Sequence, residues 1–218
     1  MSHPPGYHGN ERDDLLACLP SSAAGRRVLE LGCGEGRLGN KLRERGHEVH
    51  GVEYSPTAAA VAATRLDKVH CGDAEQLPLD YPPGHFGVLL CGDVLEHLRD
   101  PWGLLTRLRP LLAADGTLVA SVPNVQYFPV VLGLLRGRFE YRDDGVLDRT
   151  HLRFFTLRSA RALVEQAGFE ITAMPVVYPF RTAWLRGVAH VLDTLSLGLL
   201  RGFLLGQIRL VARPRAGG

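Results

Sequence analysis

The sequence has almost no lysine, few cysteines, and no long apolar run free of charged side chains. Of its 25 basic residues only Lys41 and Lys68 are lysines, an arginine bias that a GC-rich genome produces by itself. The net charge of +2, without a localised basic stripe, is no nucleic-acid footprint, and no nucleic-acid partner is expected. Cys18, Cys33, Cys71 and Cys91 are scattered and form no C-x-x-C pair. That pattern speaks against a disulfide framework or a zinc site and fits reduced thiols in a cytoplasmic protein. Met1–Pro20 is polar and rich in Pro and Gly, with no apolar h-region, so no secretory signal is expected. The longest apolar stretch, Ala183–Gly206, is interrupted by Arg186, His190, Asp193 and Arg201. Burying those charges in a bilayer would cost several kcal/mol, so no membrane span is expected.

What is present is an ordinary globular composition, 45% apolar and 22% charged, over a length suited to one α/β domain. Residues 1–218 are read as that single domain. Short apolar runs alternate with helical patterns, which implies a mostly parallel sheet covered by helices. Strands are expected at Val28–Leu31, Glu48–Glu53, Lys68–Cys71, Gly87–Cys91, Gly116–Val122, Phe169–Tyr178 and Gln207–Arg213. Ser55-Pro56 and Asp100-Pro101 each supply a helix cap followed by a proline suited to the first turn. Thr156 is expected to cap a helix that ends at Gly168. Pro123–Phe155 breaks the rhythm and is expected to form a lid insertion over the carboxyl edge of the sheet. Residues 183–205 read as an apolar helical segment whose stripe (Trp184, Val188, Val191, Leu195, Leu199, Phe203) suits core or a homodimer seam, with docking to a membrane surface as the alternative.

Glu30-Leu31-Gly32-Cys33-Gly34-Glu35-Gly36 follows a strand and opens a helix, so its backbone can turn sharply and let a ligand approach closely. Gly34, Gly36 and Gly39 also satisfy G-x-G-x-x-G, and Glu53 lies where a ribose-binding carboxylate would stand in a dinucleotide site. Against a pyrophosphate stand Glu30 and Glu35, since such a site favours an uncluttered positive helix end. A carboxylate in Gly72-Asp73-Ala74-Glu75 is a candidate acceptor for an adenine amino group.

Val28–Gly39 resembles motif I of class I S-adenosylmethionine-dependent methyltransferases. The segments Gly51–Ser55, Cys71–Pro78, Gly92–Leu98 and Leu111–Asn124 resemble the motifs that follow in that family, in the same order. The resemblance covers roughly residues 26–175. It implies a Rossmann-like seven-stranded, mostly parallel sheet with an antiparallel last strand and helices on both faces. S-adenosylmethionine would be the cofactor and S-adenosylhomocysteine its product. Gly32, Gly34 and Gly36 would line the methionine part, with Glu30 beside them in place of the commoner aspartate. Glu53, next to Tyr54, would hold the ribose hydroxyls, and Asp73 with Ala74 would meet the adenine. Gly92 would belong to the same site, and Asp93, at the end of that strand, is a candidate contact for the cofactor amine or the acceptor. Segments like Tyr7–Arg12 fold over the cofactor in the family, so Arg12 is a candidate partner for its carboxylate; a plain surface position is the alternative.

The acceptor must be argued from Pro123–Phe155. A hydroxyl acceptor needs a base, and histidine is the side chain best poised near neutral pH. His151 is the leading candidate, its ring fixed by Asp148 or by a neighbouring backbone carbonyl; packing at the base of a loop is the blander account. His97 is the rival, though a residue there also serves to shape the cofactor site. Asn124, Tyr127, Tyr141, Arg149 and Arg153 are candidate acceptor contacts, the aromatics by stacking and the arginines through carboxylate or phosphate groups. A packed lid and a solvated charged face explain the same residues. Gly137–Phe155 and the helix after it resemble bacterial methyltransferases of polysaccharide biosynthesis, and more loosely the methionine-biosynthesis protein MetW. The expected function is O-methylation of a saccharide or similar small hydroxylated acceptor. N- or C-methylation, and a MetW-like binding partner without transfer activity, are the alternatives. No metal is expected, for no His, Asp and Glu set shows ligand spacing along the chain.

Overall fold

In a computed structural model the structure describes residues 12–180 and 182–215. Seven strands form one sheet: β1 (Arg27–Leu31), β2 (Glu48–Glu53), β3 (Lys68–Cys71), β4 (Phe86–Gly92), β5 (Leu112–Pro123), β6 (Phe169–Ala173) and β7 (Gln207–Pro214). Their spatial order is β3-β2-β1-β4-β5-β7-β6. The first five are parallel, while β7 runs antiparallel to both β5 and β6. The central strands are covered on both faces, which is why they read as unbroken apolar runs rather than alternations. Successive side chains nevertheless go to opposite layers. Leu29, Leu31, Leu89 and Cys91 join one core cluster, and Val28, Val88 and Leu90 join the other.

Helices α1 (Asp13–Leu16) and α2 (Arg37–Glu44) cover the second layer, through Leu15, Leu16, Leu38 and Leu42. Helix α3 (Pro56–Ala62) starts where Ser55 Oγ accepts from Ala58 N–H. On the first layer lie α4 (Pro101–Leu108), capped by Asp100, and α6 (Leu157–Gln166), capped by Thr156 with Ser159 answering in a reciprocal box. Full burial of Leu105, Leu108 and Leu163 contributes about 1.5–3 kcal/mol each.

Three expected elements differ. Residues 123–155 contain a helix, α5 (Phe128–Leu135), and β6 stops at Ala173 rather than Tyr178. Met174-Pro175 follows, and proline has no N–H to give a ladder. The apolar C-terminal segment is two helices, α7 (Ala183–Leu195) and α8 (Arg201–Leu204), parted by left-handed backbone at Leu197 and Gly198. Its stripe is mostly open to solvent at Trp184, Val188, Val191, Leu195 and Leu199. Among the described residues no helix is long and apolar enough to cross a membrane.

Candidate active site

The loops after β1 and β4 leave adjacent strands in opposite directions, and the crevice between them is where ligands bind in open α/β sheets. It opens into a cavity of about 1660 Å³ at the carboxyl ends of β1, β2 and β4. Pockets for one small ligand measure roughly 300–1,000 Å³, so this cavity is larger than one such ligand needs.

The first wall is the loop Gly32–Gly36. Gly32 has φ 63°, and a Cβ there would meet Val94 Cγ2 at 3.0 Å. Only glycine lets the backbone turn left-handed and stay against the neighbouring loop. Glu53, 7% exposed at the end of β2, accepts from Gly34 N at 2.8 Å through one oxygen and from Ser55 N at 2.8 Å through the other. Each oxygen keeps a second lone pair, which suits a pair of vicinal hydroxyls. Tyr54 is exposed beside it on the rim. Asp73 accepts from Glu75 N and the Gln76 side chain, holding the turn that carries Ala74 into the cavity.

Glu30 lies beneath the loop, 4% exposed, with Oε2 unpartnered among the described side chains. Burial, and then the charge of Glu53, push its carboxyl up to about 8. A carboxylate-lined, glycine-floored cleft fits a cationic ligand with a ribose; it does not suit a pyrophosphate. These carboxylate acceptors suit the S-adenosylmethionine that the sequence motifs imply.

Arg12 lines the same cavity. Its guanidinium is bonded to Asp93, to Ser121 Oγ at 2.9 Å and to Asp14 at 3.0 Å. Asp93, next to Gly92, has φ 52°, a left-handed backbone that costs a non-glycine residue free energy. Arg12, Ser121 and Gln207 all bond its carboxylate and hold it there. Asp14 also accepts from the buried Arg209 at 2.7 Å. Tyr7 and Asn10 lie outside the described residues.

The second wall is built from two distant segments. Glu96 and His97 sit in a single 3-10 turn, Leu95–His97, after β4. The backbone N–H groups of Leu152 and Arg153 both donate to Glu96 O, at 2.8 and 2.9 Å, and so draw the loop 142–151 against that turn. His151 Nε2 thereby stands 4.0 Å from Glu96 Oε1, and the His97 and His151 rings meet edge to face at 4.8 Å. Of the two orienting groups expected for His151, the backbone carbonyl is the one used: Nδ1 is 3.1 Å from Val146 O. Asp148 orients Thr150 instead, accepting from its N–H at 2.7 Å and its hydroxyl at 2.6 Å. Burial works to raise the Asp148 carboxyl, and those two bonds outweigh it, leaving it below the usual range. Thr150 in turn faces His97 Nδ1 with its carbonyl at 3.3 Å and its hydroxyl at 3.2 Å. Burial, then the charge of Asp93, drive the Glu96 carboxyl well up.

None of the five expected acceptor contacts lines this cavity. Asn124 is fully buried: its amide donates to Gly202 O and Leu205 O, and its Oδ1 accepts from Gln126 N, fastening β5 to the C-terminal segment. Tyr127 packs against Phe128 and Gly206. Tyr141 is exposed against Phe139. Arg149 pairs with Asp143 in solvent, and Arg153 lies over Trp102. Val146, Thr150, His151 and Leu152 line the cavity instead, together with Glu96 and His97 from the strand-four turn. Sequence reading passed over Glu96 although it stands inside a quoted motif; its signal was an acid flanked by Leu95 and His97 rather than by turn residues.

Comparison with known proteins bears on this geometry. The sequence model of a family described as a methyltransferase domain matches residues 9–174. A ubiquinone biosynthesis O-methyltransferase of Rhodopseudomonas palustris is 29% identical over 136 residues, 58% of this chain and 50% of that protein. Another of the same name, from Bradyrhizobium diazoefficiens, is 30% identical over 186 residues, 78% of this chain and 67% of the relative. The chain thus spans about half the length of the first of these curated relatives. Among solved structures, a SAM-dependent methyltransferase from Archaeoglobus fulgidus superimposes with a TM-score of 0.69 at 18% identity, covering 95% of this chain and 96% of that one. An S-adenosylmethionine-dependent methyltransferase from Mesorhizobium loti gives 0.64 at 20% identity, over 94% and 98%. At such identities the likeness is one of fold.

Proposed function

The chain belongs to the S-adenosylmethionine-dependent methyltransferase family, and from that premise we propose that it methylates a hydroxyl oxygen of a small acceptor. S-adenosylmethionine supplies a methyl group on a positively charged sulfur. Glu53 holds the ribose hydroxyls with its two remaining lone pairs, and Asp73 and Ala74 meet the adenine. The glycine loop lies along the methionine part, with the buried Glu30 carboxyl beneath it.

The observation that carries the oxygen reading is the imidazole wall opposite that loop. With Nδ1 of His151 turned to a backbone carbonyl, the ring proton sits on Nδ1, and Nε2 is left with the lone pair that a base needs. His151 takes the hydroxyl proton, and His97 confines the ring. Amine or carbon acceptors ask less of such a wall. The relatives named for ubiquinone biosynthesis support O-methylation without favouring a sugar, so the acceptor is either a saccharide or an intermediate of the kind those names indicate.

The test is an acceptor panel with methyl-labelled S-adenosylmethionine, spanning oligosaccharides and hydroxylated rings. Label recovered as an acid-stable methyl ether is the expected result. Label only on nitrogen or carbon, or cofactor binding by calorimetry with no product from any extract, overturns it.

A further inference from the structure

The second wall carries more than a base requires. Glu96, His97 and His151 each bring a ligand-capable atom within 4.8 Å of the other two. Glu96 is 1% exposed, and neither carboxylate oxygen has a hydrogen-bond partner among the described residues. A buried carboxylate with nothing to accept from is costly until a proton or a cation satisfies it.

The two rings are oriented in the same way. His151 Nδ1 faces Val146 O, and His97 Nδ1 faces both oxygens of Thr150. Thr150 gives its hydroxyl proton to Asp148, so towards His97 it can only accept. Both Nδ1 atoms therefore carry the ring proton, and both Nε2 atoms the lone pair. An acceptor placed behind the far nitrogen is how proteins aim imidazoles at a metal.

We propose that Glu96, His97 and His151 bind a divalent first-row transition cation whose open positions receive the acceptor through a hydroxyl and a neighbouring oxygen. This deepens the oxygen-methylation reading and rests on it for the acceptor's place. Two imidazoles with one carboxylate favour Zn²⁺, Mn²⁺, Fe²⁺ or Co²⁺ over Mg²⁺ and Ca²⁺, which prefer all-oxygen shells. Three protein ligands leave room for two oxygens of one chelating molecule. Ligand atoms about 2.1 Å from a cation stand about 3.0–3.4 Å apart. The 4.0 Å edge between His151 and Glu96 has to shorten by less than about 1 Å to meet that spacing. On the cation the acceptor's O–H bond breaks with its electron pair kept by oxygen, and the proton leaves to water. Nε2 of His151 is then a ligand, and its service as a base belongs to the cation-free protein.

The test uses the full chain, free of any purification tag, stripped with dipicolinate and titrated with Co²⁺. One Co²⁺ per chain with visible d–d bands is expected. Glu96→Gln, and Thr150→Val behind His97, should each weaken binding about tenfold or more; retained S-adenosylmethionine affinity reports that the variants fold. No Co²⁺ bound by the wild type, or equal binding by wild type and Glu96→Gln, overturns the site. Methyl transfer to oxygen that proceeds at an unchanged rate after complete cation removal also overturns it, while leaving oxygen methylation intact. Stoichiometric Co²⁺ binding with product only on nitrogen or carbon upholds the site and overturns the oxygen reading.

Discussion

The two walls of the cavity are built on different principles. The glycine-loop wall is local: Glu53 bonds Ser55 two residues on and Gly34 in the loop that follows the adjoining strand, and Asp73 bonds Glu75 and Gln76. The histidine wall is assembled across the chain, with His97 meeting Thr150 at a separation of 53 residues. On the first wall backbone groups do most of the holding, so sequence is constrained over contiguous stretches. On the second, side chains from distant segments face one another, and the backbone carbonyls of Glu96 and Thr150 fasten the parts. A motif can record the first arrangement and cannot record the second.

Variants that touch one wall alone sharpen this contrast. His151→Ala should lower kcat by about 10²–10⁴ with S-adenosylmethionine affinity unchanged; a loss of cofactor affinity instead would show that the walls are not separable. Glu53→Ala should cost about 2 kcal/mol of cofactor binding, roughly thirtyfold in Kd by calorimetry, because two backbone donors and the ribose lose one acceptor. Affinity within about threefold of wild type would move the ribose elsewhere. Glu30→Gln addresses pH. The folded carboxyl holds its proton up to about 8, whereas an exposed glutamate releases it near 4.3. The folded state therefore binds more protons between those values, and wild-type stability declines as pH rises across that window and levels above it. In denaturant titrations from pH 5 to pH 9, Glu30→Gln should flatten that decline and be the more stable protein at the upper end. Arg149→Ala, an exposed ion pair with Asp143, should leave stability within about 0.5 kcal/mol and kcat within about twofold. A large effect there would restore the arginine to the acceptor site.

Much of the fold is legible because its signals are local. Strand β2 falls on Glu48–Glu53 as expected, and the Ser55-Pro56 and Asp100-Pro101 caps are made as read. Helix α5 escaped notice because Phe128–Leu135 is apolar on every side, and none of its residues is buried; without a polar face it shows no helical period. In the site, the glycines and carboxylates of the first wall were readable from their order after successive strands. Asn124 misled because a polar residue at a strand end is equally suited to a ligand or to the open carbonyls of a neighbouring segment, and the fold chose the carbonyls. Glu96 and Thr150 acquire their meaning only when the loop closes on the turn.

Strand β7 follows β6 in the chain yet lies between β5 and β6. Gln207 and Arg209, which reach Asp93 and Asp14, are carried on it. Strand β6 accordingly has no edge to join until β7 has docked, and pairings of such long sequence separation are the slow ones in folding. The cofactor loop can take shape early from its neighbouring strands, while the clasp around Asp93 is among the last contacts to form. A refolding experiment that follows both should see the glycine loop protected from hydrogen exchange before the clasp is.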